Sequence, residues 1–468
     1  MDYGEPEMAQ MKTLTLAVAA LLALPAAAQD RSQEAREASA HGDAATAITA
    51  MQAHVAAQPD DAAAKKDLAR YLMWTGAYAE ADALLAPMAA ADPEAAALQA
   101  NNAAWAGKID QALQLNAAGL QKSPPDFLAQ FTQAVALRQT AQAYRAWPHV
   151  ESAEALQPGK DVADLRRGTR VRTASEVVAG WNLLDDSDDI SAERFGLSAA
   201  VRLSDDWRLL GGWSNTDYSA PIGGGYEPVS GGDSIDDRQY WLGIAVTPAP
   251  DTRITAQLGR SETDAGDDTT GLLRVDQRVN DDFSFSAGFD RNRLGISPRS
   301  VSLGLMRDQF LGQIHYTPGY HWTFDAFGSY QDINDGNNRT EWQMAARRAV
   351  VRSSKLQLDL GGEVQWLSFA NATGNGYYAP DSYKRAALTA SAYVPFSDDV
   401  GLYARAGVGM QRDESFSSWK SANDVSVELI AGIFSDWELR ISAGYSDRAQ
   451  QAGLYDANSF GVQIKRRF

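Results

Sequence analysis

Beyond Arg172, apolar and polar residues alternate with a period of two, broken at intervals by short turn-forming clusters. This feature constrains the fold more than any other. Alternation at about 180° per residue puts successive side chains on opposite faces of a strand. In 400–410, Val400, Leu402, Ala404, Ala406, Val408 and Met410 fall on one face, and Gly401, Tyr403, Arg405, Gly407 and Gly409 on the other. In 354–366, Leu356, Leu358, Leu360, Val364 and Trp366 oppose Gln357, Asp359, Glu363 and Gln365.

The turns count the strands. Tight connections recur at 204–206, 248–251, 280–282, 317–319, 353–354, 397–399 and 435–436. With a first run near 175–184 and a last at 459–468, these hairpins give about 16 strands. The intervening stretches 185–189, 214–237, 261–270, 331–340, 370–381 and 411–424 are longer and polar, whereas 291–313 is poorly punctuated. Short turns at one end, long loops at the other and an even strand number describe an outer-membrane barrel. Trp181, Trp207, Trp213, Tyr240, Trp322, Trp342, Trp366, Trp437 and Tyr445 lie where aromatic rings settle at a lipid headgroup level. Phe468 ends an alternating last strand, a terminus similar to the signal read by the barrel assembly machinery.

The rest of the composition agrees. Mean hydropathy is below zero, and no apolar run beyond the N-terminal segment reaches the ~18 residues of a membrane helix. A barrel is compatible with this, because its alternating strands average out. A formal charge of −18 argues against nucleic acid as a partner. With no cysteine, thiolate chemistry and disulfides are excluded. Neither a cofactor nor a metal site is expected. Met11-Lys12, the apolar run Leu14–Leu24 and Ala26-Ala27-Ala28 have the parts of a secretory signal peptide. We expect residues 1–28 to be that signal, with translation starting at Met11 if the acidic first ten residues are not part of it.

Residues 29–125 repeat. Gly42, Gly76 and Gly107 share one position, followed at fixed distances by Ala47, Ala81 and Ala112, then by Pro59, Pro93 and Pro124. This pattern resembles the tetratricopeptide repeat, whose period is 34. Leu68, Tyr78 and Leu85 of the middle block also match it. Glycine turns the chain between helices, alanine permits close approach, and proline is expected to end the second helix of each pair. Residues 126–172 read as a degenerate helical unit and linker, and 173–468 as the barrel. The expected fold is therefore α plus membrane β, with helical repeats before an antiparallel barrel.

If the apolar face meets outer-membrane lipid, the other face lines a lumen. Its candidate solute-path residues are Arg194, Arg202, Arg208, Trp241, Arg253, Arg274, Arg278, Asp325, Asp359, Glu363, Arg385, Tyr393, Tyr403, Arg405, Glu428 and Arg440. Guanidinium–carboxylate ladders that brace the wall are the competing reading of the charged members. Sugar rings stack on inward aromatics through their apolar C–H edges. A mixed lumen under acidic loops suits a neutral or partly cationic polymer.

Signal peptide, repeats and C-terminal barrel together resemble the outer-membrane porins of synthase-dependent exopolysaccharide export, such as the cellulose synthase outer-membrane subunit and the poly-N-acetylglucosamine export porin. Gly376-Tyr377-Tyr378-Ala379-Pro380-Asp381-Ser382-Tyr383 is similar to a G-Y-Y-S-P-x-x-Y stretch of those barrels, with Ala379 in place of serine. Asp290-Arg291-Asn292-Arg293 leading to Ser300–Leu303 is similar to an arginine-rich strand of the cellulose type. The resemblance implies passive export of a cellulose-like or N-acetylglucosamine polymer. It also implies periplasmic repeats that dock the polymer or periplasmic or inner-membrane synthase components, although the arm here is shorter than is usual in the family. The alternatives are delivery of surface lipoproteins and general diffusion. An enzyme would have to use His315 or His321, and neither has a nucleophile motif nearby.

Overall fold

A computed structural model of the chain describes residues 31–447 and 456–468, so the expected signal segment lies outside the described residues. The helical arm comprises α1 (31–40), α2 (Ala44–Ala57), α3 (Ala62–Thr75), α4 (Tyr78–Ala89), α5 (Pro93–Trp105), α6 (Ile109–Leu120), α7 (Phe127–Leu137), a short 3-10 turn (Ala143–Ala146), α8 (Trp147–Leu156) and α9 (Lys160–Thr173). The repeat positions have physical roles. Gly42, Gly76 and Gly107 all adopt the left-handed region, with φ of 77°, 80° and 79°, which glycine enters without a Cβ penalty. Ala47, Ala81 and Ala112 are fully buried. Asp43, Asp61, Asp92 and Asp126 cap α2, α3, α5 and α7 by accepting backbone N–H bonds. One expectation is corrected: Pro93 does not end α4 but opens α5, where its missing N–H leaves no helical bond unmade.

The barrel strands are β1 (Glu176–Asp186), β2 (Ser191–Arg202), β3 (Trp207–Ser219), β4 (Ser234–Ala249), β5 (Thr252–Thr263), β6 (Gly266–Arg278), β7 (Phe283–Arg293), β8 (Met306–Tyr316), β9 (Trp322–Ile333), β10 (Asn338–Arg352), β11 (Gln357–Phe369), β12 (Tyr383–Pro395), β13 (Val400–Arg412), β14 (Asp424–Ala431), β15 (Trp437–Ser446) and β16 (Ala457–Arg467). Lys420–Ser421 form a minor extra pairing with β13. Sequential strands pair antiparallel, and β1 pairs with β16 from Glu176↔Arg467 to Asp186↔Ala457, closing 16 strands into a barrel without an edge. Strands run further into the expected loops than the polarity suggested. The 261–270 stretch is mostly paired, with β5 meeting β6 at Thr263↔Gly266.

Large apolar side chains cover the outside. Leu242, Leu258, Leu388 and Val408 are each about 70% exposed, an arrangement that suits hydrocarbon and not water. Trp207, Trp322 and Trp437 lie near the short-turn end of the outer face, and Trp342, Trp366 and Tyr445 near the long-loop end.

Candidate functional site: the lumen and its two ends

Strand parity turns the candidate charged residues inward, and most of them are held by an opposite charge. Arg385 bonds Glu363 and Asp424, and Arg405 bonds the same two carboxylates at 2.5 and 2.9 Å. This four-residue knot ties β11, β12, β13 and β14 together. Asp325 accepts from Arg347 at 2.5 Å and meets His315 Nδ1 at 2.7 Å. Asp359 pairs with Arg352, Arg274 with Asp276, and Arg202 with Asp205. Arg440 pairs with Glu428 and Glu438, and Glu438 also takes Arg467. Among the described residues no hydroxyl bonds to His315, whose contact is a rung of this ladder. In the arginine-rich stretch, Asp290 meets Arg307, Arg291 meets Asp308, and the fully buried Arg293 meets Asp268 and Ser261.

The inward aromatics lie against the wall. A Cβ on Gly212 would come within 2.6 Å of the Trp241 ring, and one on Gly401 within 2.3 Å of the Tyr393 hydroxyl. Glycine at these strand positions makes room for the rings. Tyr393 stands directly across from Tyr403, toward the short-turn end.

At the long-loop end, the poorly punctuated stretch contains a helix that the sequence reading missed: α10 (Pro298–Ser302). Ser297 caps it and Pro298 occupies its first turn, a start signal readable in sequence. Ser297, Ser300 and Val301 are fully buried. The helix packs between the β3–β4 connection, where Tyr226 O accepts from Arg299 N at 2.8 Å, and the β11–β12 connection, where Gly374 O accepts from Arg299 Nε at 2.8 Å.

The 376–383 motif forms the other half of this packing. Gly376 has φ +84°, its carbonyl accepts from Ser297 Oγ, and a Cβ there would lie 2.5 Å from that oxygen. Both its backbone conformation and the close approach therefore call for glycine. The buried Tyr377 hydroxyl donates to Asp335 at 2.7 Å and accepts from Asn337 at 3.0 Å. Burial, and then Asp335, push its phenol pKa well up. The Tyr378 hydroxyl donates to Asp413, and the Asp381 and Ser382 amides donate to Glu414. Pro380 O accepts from Phe369 N, and Tyr383 OH donates to Gln411. The motif thus joins four long connections into one packed cluster with Leu294, Leu305, Ile333 and Leu367.

At the short-turn end, the helical arm lies across the mouth. Lys108 Nζ reaches Asp282 at 2.5 Å and Thr317 O at 2.9 Å. The Asp281 carboxylate accepts from the Asp110 and Gln111 amides at the start of α6, and Asp110 itself pairs with Arg278 at 2.9 Å. Gln142 and Tyr144 bond Asp206, and Ala141 N donates to Pro250 O. Across the mouth, Lys160 meets Asp398 and Arg170 meets Asp436. The terminal Phe468 donates its N–H to Ser175 O, closing the barrel seam beside the arm.

No protein-family model matches the chain, and no curated protein matches it. Among solved structures, a "Bacterial polysaccharide outer membrane secretin" is similar at 13% identity and a TM-score of 0.55, over 63% of this chain and 99% of that one. CdiB from Acinetobacter baumannii matches at 8% identity and a TM-score of 0.41 (63% and 60% of the chains), and Acinetobacter baumannii OccAB1 at 12% and 0.37 (63% and 95%). At 13% identity the likeness to the polysaccharide secretin is one of fold, that of an outer-membrane barrel.

Proposed function

We propose that the chain is an outer-membrane porin for passive export of an exopolysaccharide. The short-turn end then faces the periplasm, and the arm is a short tetratricopeptide-like stack at the entrance that docks the polymer or a synthase component. The observation that carries this reading is a closed barrel with a polar, aromatic-bearing lumen whose entrance is spanned by helices hydrogen-bonded to its turns. The similarity of the 376–383 motif to export porins, and the fold shared with a barrel described as a polysaccharide secretin, support it. A general diffusion porin has no use for an arm across one mouth and a packed helix at the other. The test is deletion of the gene with assay of surface polysaccharide, and fractionation of the tagged protein. The export reading expects the protein in the outer membrane, and polymer lost from the surface or retained in the periplasm. Unchanged surface polymer would overturn it and make lipoprotein display the next assay.

A further inference from the structure

Between the arm and the lumen wall at the short-turn end lies a cavity of about 490 Å³, within the range of small-molecule sites. Its carboxylates are already engaged. Asp205 holds Arg202, and Asp206 accepts from Gln142 and Tyr144. Asp251 holds Arg278, and Asp276 takes Arg274 and Ser286. Three lining guanidiniums, those of Arg172, Arg208 and Arg253, have no carboxylate partner among the described residues. Among the described residues Arg208 donates to the Arg172 carbonyl alone, at 2.9 Å. Arg208 points inward from β3 directly across from Ala245, and Arg253 points inward from β5 two residues before Thr255, which faces the same Ala245. Outside the cavity lining, Arg138 lies over the Trp105 ring at 5.0 Å, its pKa pushed down to about 10 by burial and then by the charge of Arg172. The cavity lining thus carries five guanidiniums against four carboxylates, and three of the five have no carboxylate partner among the described residues, whereas Arg385, Arg405, Arg347 and Arg440 elsewhere in the lumen each have one.

We propose that this junction binds a carboxylate-bearing sugar unit, a uronate or a carboxylate-substituted hexose, of the polymer entering the barrel. A guanidinium fork matches a carboxylate with two parallel N–H bonds; the Tyr144 ring, which also lines the cavity, has the Arg202 guanidinium over it at 6.0 Å. The proposal rests on the export reading and revises the expectation of a neutral or partly cationic polymer. That expectation weighed the acidic loops, whereas this cavity lies at the opposite end of the barrel, where Arg172, Arg208 and Arg253 line the path.

The test uses the full chain in lipid nanodiscs, with calorimetric titration of an oligouronate, a neutral oligosaccharide of equal length, and sulfate. The oligouronate is expected to bind and the neutral sugar not to bind. Arg208→Gln with Arg253→Gln is expected to weaken oligouronate binding at least tenfold, and Arg172→Gln alone severalfold, in variants whose unfolding midpoint matches the parent. Equal binding of the neutral sugar, or unchanged oligouronate binding in variants that fold like the parent, overturns the proposal. Binding of sulfate without the oligouronate also overturns it, leaving a site for small anions only. Absent oligouronate binding together with polymer loss in the deletion strain removes this assignment and leaves export standing. Unchanged polymer in that strain removes export itself.

Discussion

Replacing Arg385 with methionine separates the two readings of the lumen arginines, bracing of the wall and contact with solute. The Arg385 side chain is 1% exposed, and its partners Glu363 and Asp424 are 4% and 10% exposed. The knot contains two cations and two anions. Removing Arg385 leaves two carboxylates facing Arg405 alone, with a net charge of −1. Removing one partner of a buried pair costs about 3–5 kcal/mol. Arg405 still bonds both carboxylates and is 26% exposed, so water and the remaining guanidinium relieve part of the loss, and we expect about 2–4 kcal/mol. Adding Glu363→Gln restores neutrality and should recover about 1–2 kcal/mol of it, the coupling characteristic of groups in one network. Urea unfolding in lipid vesicles, followed by tryptophan fluorescence, reads these differences. A loss below about 1 kcal/mol for Arg385→Met, or no recovery in the double variant, would refute the bracing argument. Reduced polymer export at unchanged stability would place Arg385 on the solute path.

Two other changes probe the ends of the barrel. Arg278→Ala removes the guanidinium that bridges Asp110 of the arm to Asp251 and Asp281 of the turns; because the group is partly exposed, arm docking should weaken by about 1–3 kcal/mol, seen as faster proteolysis of the arm and greater single-channel conductance. Tyr377→Phe leaves Asp335 and Asn337 without their shared hydroxyl and should loosen the loop cluster by about 1–3 kcal/mol, while Gly376→Ala should loosen it further because of its positive φ and its clash with Ser297; protease nicking between 370 and 383 measures both, and unchanged nicking in the two variants would count against a packed long-loop mouth.

The parts legible in sequence were those that depend on local periodicity. Alternation gives strand parity directly, so one outward residue such as Leu402 fixes the inward placement of Tyr403 and Arg405. The three repeat glycines were legible because each does the same local work at a helix–helix turn. What alternation cannot give is the identity of a partner on another strand. Glu363 and Arg405 are 42 positions apart, and Lys108 and Asp282 are 174 apart. Sequence therefore offered a set of inward arginines without telling Arg385, which braces the wall, from Arg208 and Arg253, which face a cavity. The helix α10 was missed because five residues are too few to show a period, although its Ser-Pro start was present. The arm's seat on the turns was likewise invisible, since it is made of single polar contacts scattered over both domains.

Whether polymer passes through this lumen can be measured directly, because the chain has no cysteine of its own. Gln343 points inward from β10, and the adjacent Met344 points outward and is 54% exposed. In a strain carrying Gln343→Cys, modification by a bulky maleimide should stop polymer release in proportion to labelling, while Met344→Cys labelled to the same extent should release polymer at the parental rate. Undiminished release from fully labelled Gln343→Cys would contradict the account.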